Sequence, residues 1–493
     1  MDATSRRGFL KLAGLGAMGA AIGPRSAAAE AKSLTFLHES SFIKTFDEYM
    51  QKTLAPAYEK ETGVKINYEL TSVGSLPTRI STIAETGSGA DVTMIFLLYP
   101  FLFEEKLLDV SDIAEDAGKK QGGWYDVAKE AGVVNGKWKA VPFSNIGQLM
   151  NWRTDWFAEV GVKKFPDTWD ELYEIGKKLK AKDHPFGFEL GHGFGDNHGW
   201  LYPLLWSYGG HEVEPDGKTV VIDSDETARA IDFARKFFKD TMLDDVLGWT
   251  DVSNNKAWYA EQISCTNNAQ SILWLAKRDF PDIAKVTDQA QNPTGPKGRF
   301  HLMNSVCHSI FNFTPAKDEA RAFLRWLMDE KQLGAWYASA DSYYQPLLHG
   351  YDNAPMWQVE PRNIPYRDSL ASAHLPGWPA PPNRALAESL AKYVVVDMFA
   401  KACAGKSTKE VIADASALAA RVSALPEQFD VLRVKGFAAV AGKPMRLLVQ
   451  AVGTRVSHQY DRLWQASEAR AGRLVVIGRK GFDRAAVVRS LLG

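Results

Sequence analysis

The sequence predicts an α/β fold that opens on a parallel, helix-covered sheet and closes on a small module of different character. Three observations predict it. Short apolar runs alternate with helical periodicities from residue 33 onward, Gly-containing turns punctuate them, and both charge and pattern change near residue 424.

The elements follow in order. Ser33-Leu34-Thr35-Phe36-Leu37-His38 reads as a strand with a polar exit, Glu39-Ser40-Ser41. Phe42, Phe46, Tyr49, Leu54 and Tyr58 recur at near-helical spacing, which predicts a helix over 42–62 stopped by Gly63. Val64 to Leu70 alternates as a second strand, 75–86 reads as a helix ending in Gly87-Ser88-Gly89, and Ala90 to Ile95 reads as a buried strand. Gly136 to Phe143 looks like a strand after a turn. Thr168 and Glu171 have capping-box spacing at a helix start, and Asp223-Ser224-Asp225-Glu226 opens another amphipathic helix. Residues 316–340 are expected to form one helix, 341–384 ordered Pro-, Tyr- and Trp-rich loops, and 386–421 a last helical run. Beyond Phe429 come short alternating segments at 431–436, 445–450 and 473–478, then a short helix over 483–492. This is a small α+β module.

Charge supports the division. The total is −1, the first 29 residues carry +3 and residues 424–493 carry +7, which leaves −11 on residues 30–423. An acidic body without a basic stripe excludes nucleic acid as its partner. The start, Ser5-Arg6-Arg7-Gly8-Phe9-Leu10-Lys11, precedes a Gly/Ala-rich apolar run and Ala27-Ala28-Ala29, the layout of a twin-arginine signal peptide over 1–29. The expected route is the twin-arginine translocase and the expected compartment the periplasm. No later run has about 18 uninterrupted apolar residues, so no membrane span is expected. Cys265, Cys307 and Cys403 leave open either a Cys265–Cys307 bridge or three buried thiols.

Several stretches carry a resemblance. They include Leu54-Ala55-Pro56-Ala57-Tyr58-Glu59-Lys60-Glu61-Thr62-Gly63-Val64, Gly89-Ala90-Asp91-Val92, Leu107-Leu108-Asp109-Val110, Val141-Pro142-Phe143, Pro166-Asp167-Thr168-Trp169-Asp170-Glu171-Leu172 and the Trp326 helix. In this order, residues 33–422 resemble the family 1 extracellular solute-binding proteins, relatives of maltose- and multiple-sugar-binding proteins. The resemblance implies a two-lobed periplasmic-binding-protein fold, type II-like, over 30–422, closing on its ligand by a hinge. It implies the exported, non-catalytic component of an ABC importer, with a small-molecule carbohydrate ligand, a permease partner and no cofactor. Val431-Leu432-Arg433-Val434-Lys435-Gly436-Phe437, Lys443-Pro444-Met445-Arg446-Leu447 and Arg473 to Gly478 resemble the C-terminal domain of the CobW family of GTP-dependent metal chaperones, over 424–493. The GTPase half and a CxCC motif are absent from the sequence. Gly405-Lys406-Ser407 lacks the glycine that a phosphate loop needs at position 400, where Ala400 stands, so Gly405 reads as a helix end.

Carbohydrate sites use aromatic faces and fixed amide and carboxylate groups. Candidates at loop and strand-end positions are Glu39, Ser40, Tyr99, Asn145, Gln148, Asn197, Trp200, Trp206, Trp258, Asn267, Asn268, Tyr343, Tyr344 and Trp378. For any one of the aromatics, core packing is the competing role. His192, Asp196 and His198 within a Gly-rich loop leave open a metal site, ligand hydrogen bonding or a solvated loop. No nucleophile motif appears, and Asp244-Asp245 reads as a solvated turn. A metal-delivery protein using the tail, or a secreted glycan-active hydrolase, are the rival functions. A cleft of aromatics and amides without facing carboxylates would favour a receptor over the hydrolase.

Overall fold

The computed structural model describes residues 32–423 and, further on, four strands of the C-terminal segment. The expected signal peptide and the expected helix over 483–492 lie outside the described residues. No helix among the described residues is long and apolar enough to cross a membrane.

The first three strands form as their patterns predict: β1 (Ser33–Glu39), β2 (Lys65–Thr71) and β3 (Val92–Phe96). They run parallel, with Phe36 opposite both Tyr68 and Val92. The helix between β1 and β2 spans Lys44–Tyr49 and Ala55–Thr62 with a π-helical turn at Met50–Leu54, and Gly63 ends it at φ 76°. The same sheet gains antiparallel strands later in the chain, β4 (Val141–Asn145) and β8 (Ser305–Ile310), with the short strand Gln345–Pro346 at its edge. This six-stranded sheet is the centre of the first lobe.

Its densest packing surrounds Trp336. That ring is fully buried, stacks on Phe46 at 4.3 Å, and meets Phe143, His308 and His38 at 4.8, 5.9 and 5.9 Å. Burial in this aromatic nest disfavours imidazolium. His38 is pushed down to about 4, and His308 lies well below the ordinary histidine value.

The second lobe is built on a smaller antiparallel sheet, in which β5 (Leu149–Arg153) lies between β6 (Cys265–Asn268) and β7 (Thr287–Ala290). Around it pack Trp169–Lys180, Asn197–Tyr208 and Asp225–Thr241, whose apolar faces meet in a ring cluster of Trp169, Phe186, Phe188, Trp200, Phe233 and Phe237. The capping box at Thr168 forms: its hydroxyl accepts from the Glu171 N–H and the Glu171 carboxylate accepts from the Thr168 N–H, both at 3.1 Å. Ser224 caps the Asp225 helix by accepting from the Thr227 N–H at 3.2 Å. The chain crosses between the two sheets at 146–148 and 291–304, and these short passages give the molecule its two lobes.

Four expectations need correction. The run 316–340 is two helices, Lys317–Leu327 and Glu330–Ala338, because Asp329 takes an extended conformation and caps the second through the Lys331 N–H. The run 386–421 is three, Arg384–Ala391, Val394–Cys403 and Thr408–Ser423, interrupted where Tyr393 and Gly405 take φ of 56° and 104°. Residues 136–143 hold a two-residue hairpin arm, Lys137–Trp138, before β4 begins at Val141. The 341–384 stretch contains short helices at Met356–Val359 and Ile364–Ser369. The three cysteines are free thiols, with Cys265 and Cys307 buried on different sheets. In the C-terminal segment, strands at Val431–Ala439, Met445–Val452 and Arg473–Gly478 match the alternating runs. A further strand, Arg455–Leu463, completes an antiparallel sheet.

Candidate functional site

A cleft opens where the two sheets face each other. Glu39, Phe42, Met94 and Phe96 line it from the first lobe, and Phe194, Asp196, Asp251 and Asn268 from the second. Gln148 and Asn304 line it from crossing segments, and Tyr343 from the stretch just before the edge strand Gln345–Pro346. Of the sequence candidates, the fold brings Glu39, Gln148, Asn268 and Tyr343 together here.

The others stand elsewhere. Asn145, Asn197, Asn267 and Tyr344 are buried behind the lining. Asn145 Nδ2 lies 2.7 Å from the Gln345 amide, Asn267 donates to the Gln148 carbonyl at 3.2 Å, and the Tyr344 hydroxyl reaches Glu39 at 3.5 Å. Asn197 ties its own loop together by donating to the Gly191 and Gly193 carbonyls at 2.7 and 3.1 Å. Trp200 and Trp258 are core residues of the second lobe, Trp200 donating to the Glu189 carbonyl at 2.8 Å. Trp206 and Trp378 belong to a separate ring cluster with Phe300 and His374. Tyr99 packs on Phe96 and Phe103, and Ser40 is exposed, its N–H held by the Thr71 carbonyl. Three of the four tryptophans stand on helices rather than loops, Trp200 and Trp206 on Asn197–Tyr208 and Trp258 on Ser253–Tyr259, and burying so large a ring is worth more than its polar edge costs.

The site's chemistry is acidic. Glu189, Asp196 and Asp251 each place a carboxylate oxygen within 4.8 Å of the others, a spacing that could hold a metal ion. The Gly-rich loop makes this approach feasible: a Cβ on Gly195 would sit 2.7 Å from Glu189 Oε2 and 2.9 Å from Asp251 Oδ1. A Cβ on Gly191 would lie 1.8 Å from the Trp249 carbonyl oxygen. Asp196 is held by two amides, Gln148 Nε2 at 2.6 Å and Asn254 Nδ2 at 2.8 Å. His192 turns away to Asp397 at 2.6 Å, and His198 is buried with its value pushed down to about 4. The loop is thus part of the cleft wall and exposes only its 192–194 tip. Asp244 and Asp245 are exposed, as a solvated turn should be. Sequence reasoning passed over Glu189 and Asp251, which no motif marks.

Burial, joined at Glu39, Glu189 and Asp251 by repulsion from neighbouring carboxylates, disfavours the ionised form of these carboxyls. Glu39 rises to about 8 through burial and the nearby Asp47, and Asp196 to about 7 through burial. Glu189 and Asp251 rise well above the usual range through burial and neighbouring carboxylates. Glu212 rises to about 7 in the second lobe. An acid whose folded value is raised contributes stability that disappears as pH climbs through that value. A histidine whose folded value is depressed contributes stability that disappears as pH falls from about 6.5 toward it. His38, His198 and His374, all near 4, therefore weaken the fold only below pH 6.5. Unliganded protein is expected to be most stable near pH 6.5 and to lose about 1.4 kcal/mol per pH unit above that for each carboxyl still protonated. Calorimetric Tm values at pH 6.5, 7.5 and 8.5 check this. They should fall steadily, and less steeply in Glu39→Gln; a flat or rising series contradicts the assignment.

Two lobes, a cleft between them and short crossing passages define a two-lobed periplasmic-binding-protein fold. Residues 39–333, more than half of the chain, match the bacterial extracellular solute-binding proteins, and the chain belongs to that family. A binding protein of Brucella abortus is 25% identical over 303 residues, which cover 58% of this chain and 71% of that one. The solved structure of maltose-bound MalE3 from T. maritima superposes with a TM-score of 0.69 at 19% identity, over 79% of this chain and 99% of that one. Residues 408–493 match the cobalamin synthesis protein cobW C-terminal domain. The zinc chaperone CobW of a Sinorhizobium species is 57% identical over 76 residues, 15% of this chain, and the match spans only 22% of that relative's length. This second match begins earlier than the change in charge. Its first helix, Thr408–Ser423, is docked on the body, where Thr408 donates to Asp232 at 2.6 Å and Val411, Ile412 and Ala415 are buried.

Proposed function

We propose that the chain is the exported substrate-binding component of an ABC importer, holding a sugar or oligosaccharide between its lobes and releasing it unchanged to a permease. The observation that carries this reading is the cleft itself, lined from both lobes and from the crossing passages by rings and fixed polar groups. A solute touching both lobes would stabilise the closed arrangement by its differential contacts. The maltose carried by the T. maritima relative supports a carbohydrate as the ligand. The organisation that fits is a twin-arginine signal peptide over 1–29, the receptor over 30–422 and the CobW-like module over 424–493, with work in the periplasm after export by the twin-arginine translocase.

One expectation for a receptor is not met in its simple form, because Glu39 faces the cleft from one lobe while Asp196 and Asp251 face it from the other. A glycan hydrolase also places carboxylates on both sides of a cleft. Membership of a binding-protein family supports the receptor, and a thermal-shift panel with product analysis separates the readings. Under the receptor reading a sugar at a hundredfold excess over its Kd stabilises the fold by about 2.7 kcal/mol and is recovered intact. Stabilisation by zinc or cobalt alone, or conversion of the sugar, contradicts it.

A further inference from the structure

Three carboxyl groups, those of Glu39, Asp196 and Asp251, line the cleft from both lobes. Gln148 lines the cleft and turns its Nε2 to Asp196, while its Oε1 is buried against Gly199. Glu39 is 5% exposed, and its one hydrogen bond is the 3.5 Å contact from Tyr344. Asp251 lines the cleft, and no donor among the described residues reaches it. The two oxygens of Asp196 are met by amides, which satisfy hydrogen bonds without neutralising charge. No lysine or arginine lines the cleft, and none of the ion pairs among the described residues includes Glu39, Glu189, Asp196 or Asp251. The one lining imidazole, His198, is held uncharged by burial.

A neutral sugar leaves this imbalance in place, since hydroxyls donate hydrogen bonds but bring no charge. Buried carboxylates are stable when paired with a cation, and a cation near them favours their ionised form. A primary ammonium supplies three donors and one positive charge to a wall of carboxyl groups that no lysine or arginine meets. Phe42, Phe96, Phe194 and Tyr343 complete the lining, and Phe96 and Phe194 meet from opposite lobes with centroids 4.4 Å apart. Such rings suit the apolar faces of a sugar and the π-attraction of an ammonium. An isolated metal ion would use the three second-lobe carboxylates but none of these rings.

We propose that the preferred solute is an amino sugar whose protonated amine seats between Glu39 of one lobe and the Asp196–Asp251 pair of the other. The proposal rests on the reading of this cleft as the solute site.

Calorimetric titration of the full chain at pH 7 tests it with four probes: a glucosamine disaccharide, its N-acetylated counterpart, cellobiose and calcium or zinc chloride alone. The amine form should bind at least about tenfold more tightly than the two neutral disaccharides, a difference of about 1.4 kcal/mol. Asp251→Asn should remove that preference, so that within the variant the amine form binds no more tightly than cellobiose. Equal affinity for amine and neutral forms overturns this proposal and leaves the sugar-receptor reading intact. Binding of none of the disaccharides overturns both. Saturable binding of the divalent ion at the same carboxylates, competing with the amine form and abolished by Asp251→Asn, overturns the amine assignment in favour of a metal. The wild-type comparison alone decides the question if the variant fails to fold.

Discussion

Truncating Trp336 to alanine will lower the free energy of unfolding by about 4 kcal/mol, the range for deleting a fully buried large ring. The ring is shielded from solvent on every side, and it joins the helix Glu330–Ala338 to the β1-to-β2 helix through Phe46, to β4 through Phe143 and to β8 through His308. Its indole N–H also donates to the Phe46 carbonyl at 3.3 Å, so truncation leaves both a cavity and an open acceptor. Trp326 makes the control. It is half-buried, packs on Tyr58 at 5.1 Å and donates to Glu61 at 3.0 Å, so its loss should cost about 1 kcal/mol. Denaturant midpoints of the two variants should separate clearly. Similar midpoints would mean that the first lobe is not organised around Trp336.

Replacing Asn254 with leucine keeps the branched four-atom side-chain skeleton and removes four hydrogen bonds at once. Its Nδ2 donates to Asp196 at 2.8 Å, to Thr266 Oγ1 at 3.3 Å and to the Asn267 carbonyl at 3.2 Å. Its Oδ1 receives the Asn255 N–H at 2.8 Å. The change leaves Asp196 with one donor in a buried site, and a lost bond to a charged group costs about 1.5–3 kcal/mol, more when the partner stays buried. The expected loss is about 3 kcal/mol of stability together with solute binding, because Asp196 lines the cleft. A double variant, Asn254→Leu with Asp196→Asn, should recover part of the stability and none of the binding. Stability unchanged in the single variant would show that Asn254 does not hold the acidic wall.

The first lobe was legible because its pattern is local. Phe36 and Leu34 alternate with polar neighbours, and Gly63 and Gly87 end helices at φ of 76° and 68°. The Thr168 capping box is likewise written within four residues. What escaped the pattern was helix interruption. Tyr393 takes a left-handed conformation at φ 56° that no residue type announces, and apolar periodicity runs on through it. The cleft was legible only in part, for a different reason. Glu39 and Gln148 follow recognisable strands, so their place at strand ends could be read. Asp251 lies between short helical segments and meets Glu189 only because Gly191 and Gly195 let the loop fold tightly against Trp249 and Asp251. That meeting joins positions some sixty residues apart, and periodicity carries no information over such a span. Tryptophans were misleading for the converse reason: Trp200 and Trp258 are amphipathic enough for a binding site, and the core took them.

The central claim is that an intact small solute sits in the cleft formed by Glu39, Gln148 and Asp251. Native mass spectrometry of protein purified gently from its own source weighs such a solute directly. One added mass per chain, matching an unmodified sugar, displaced by an excess of that sugar and absent from the Asn254→Leu variant, is the predicted result. A bare chain that takes up none of the offered sugars, or an added mass that persists unchanged in the variant, would contradict it.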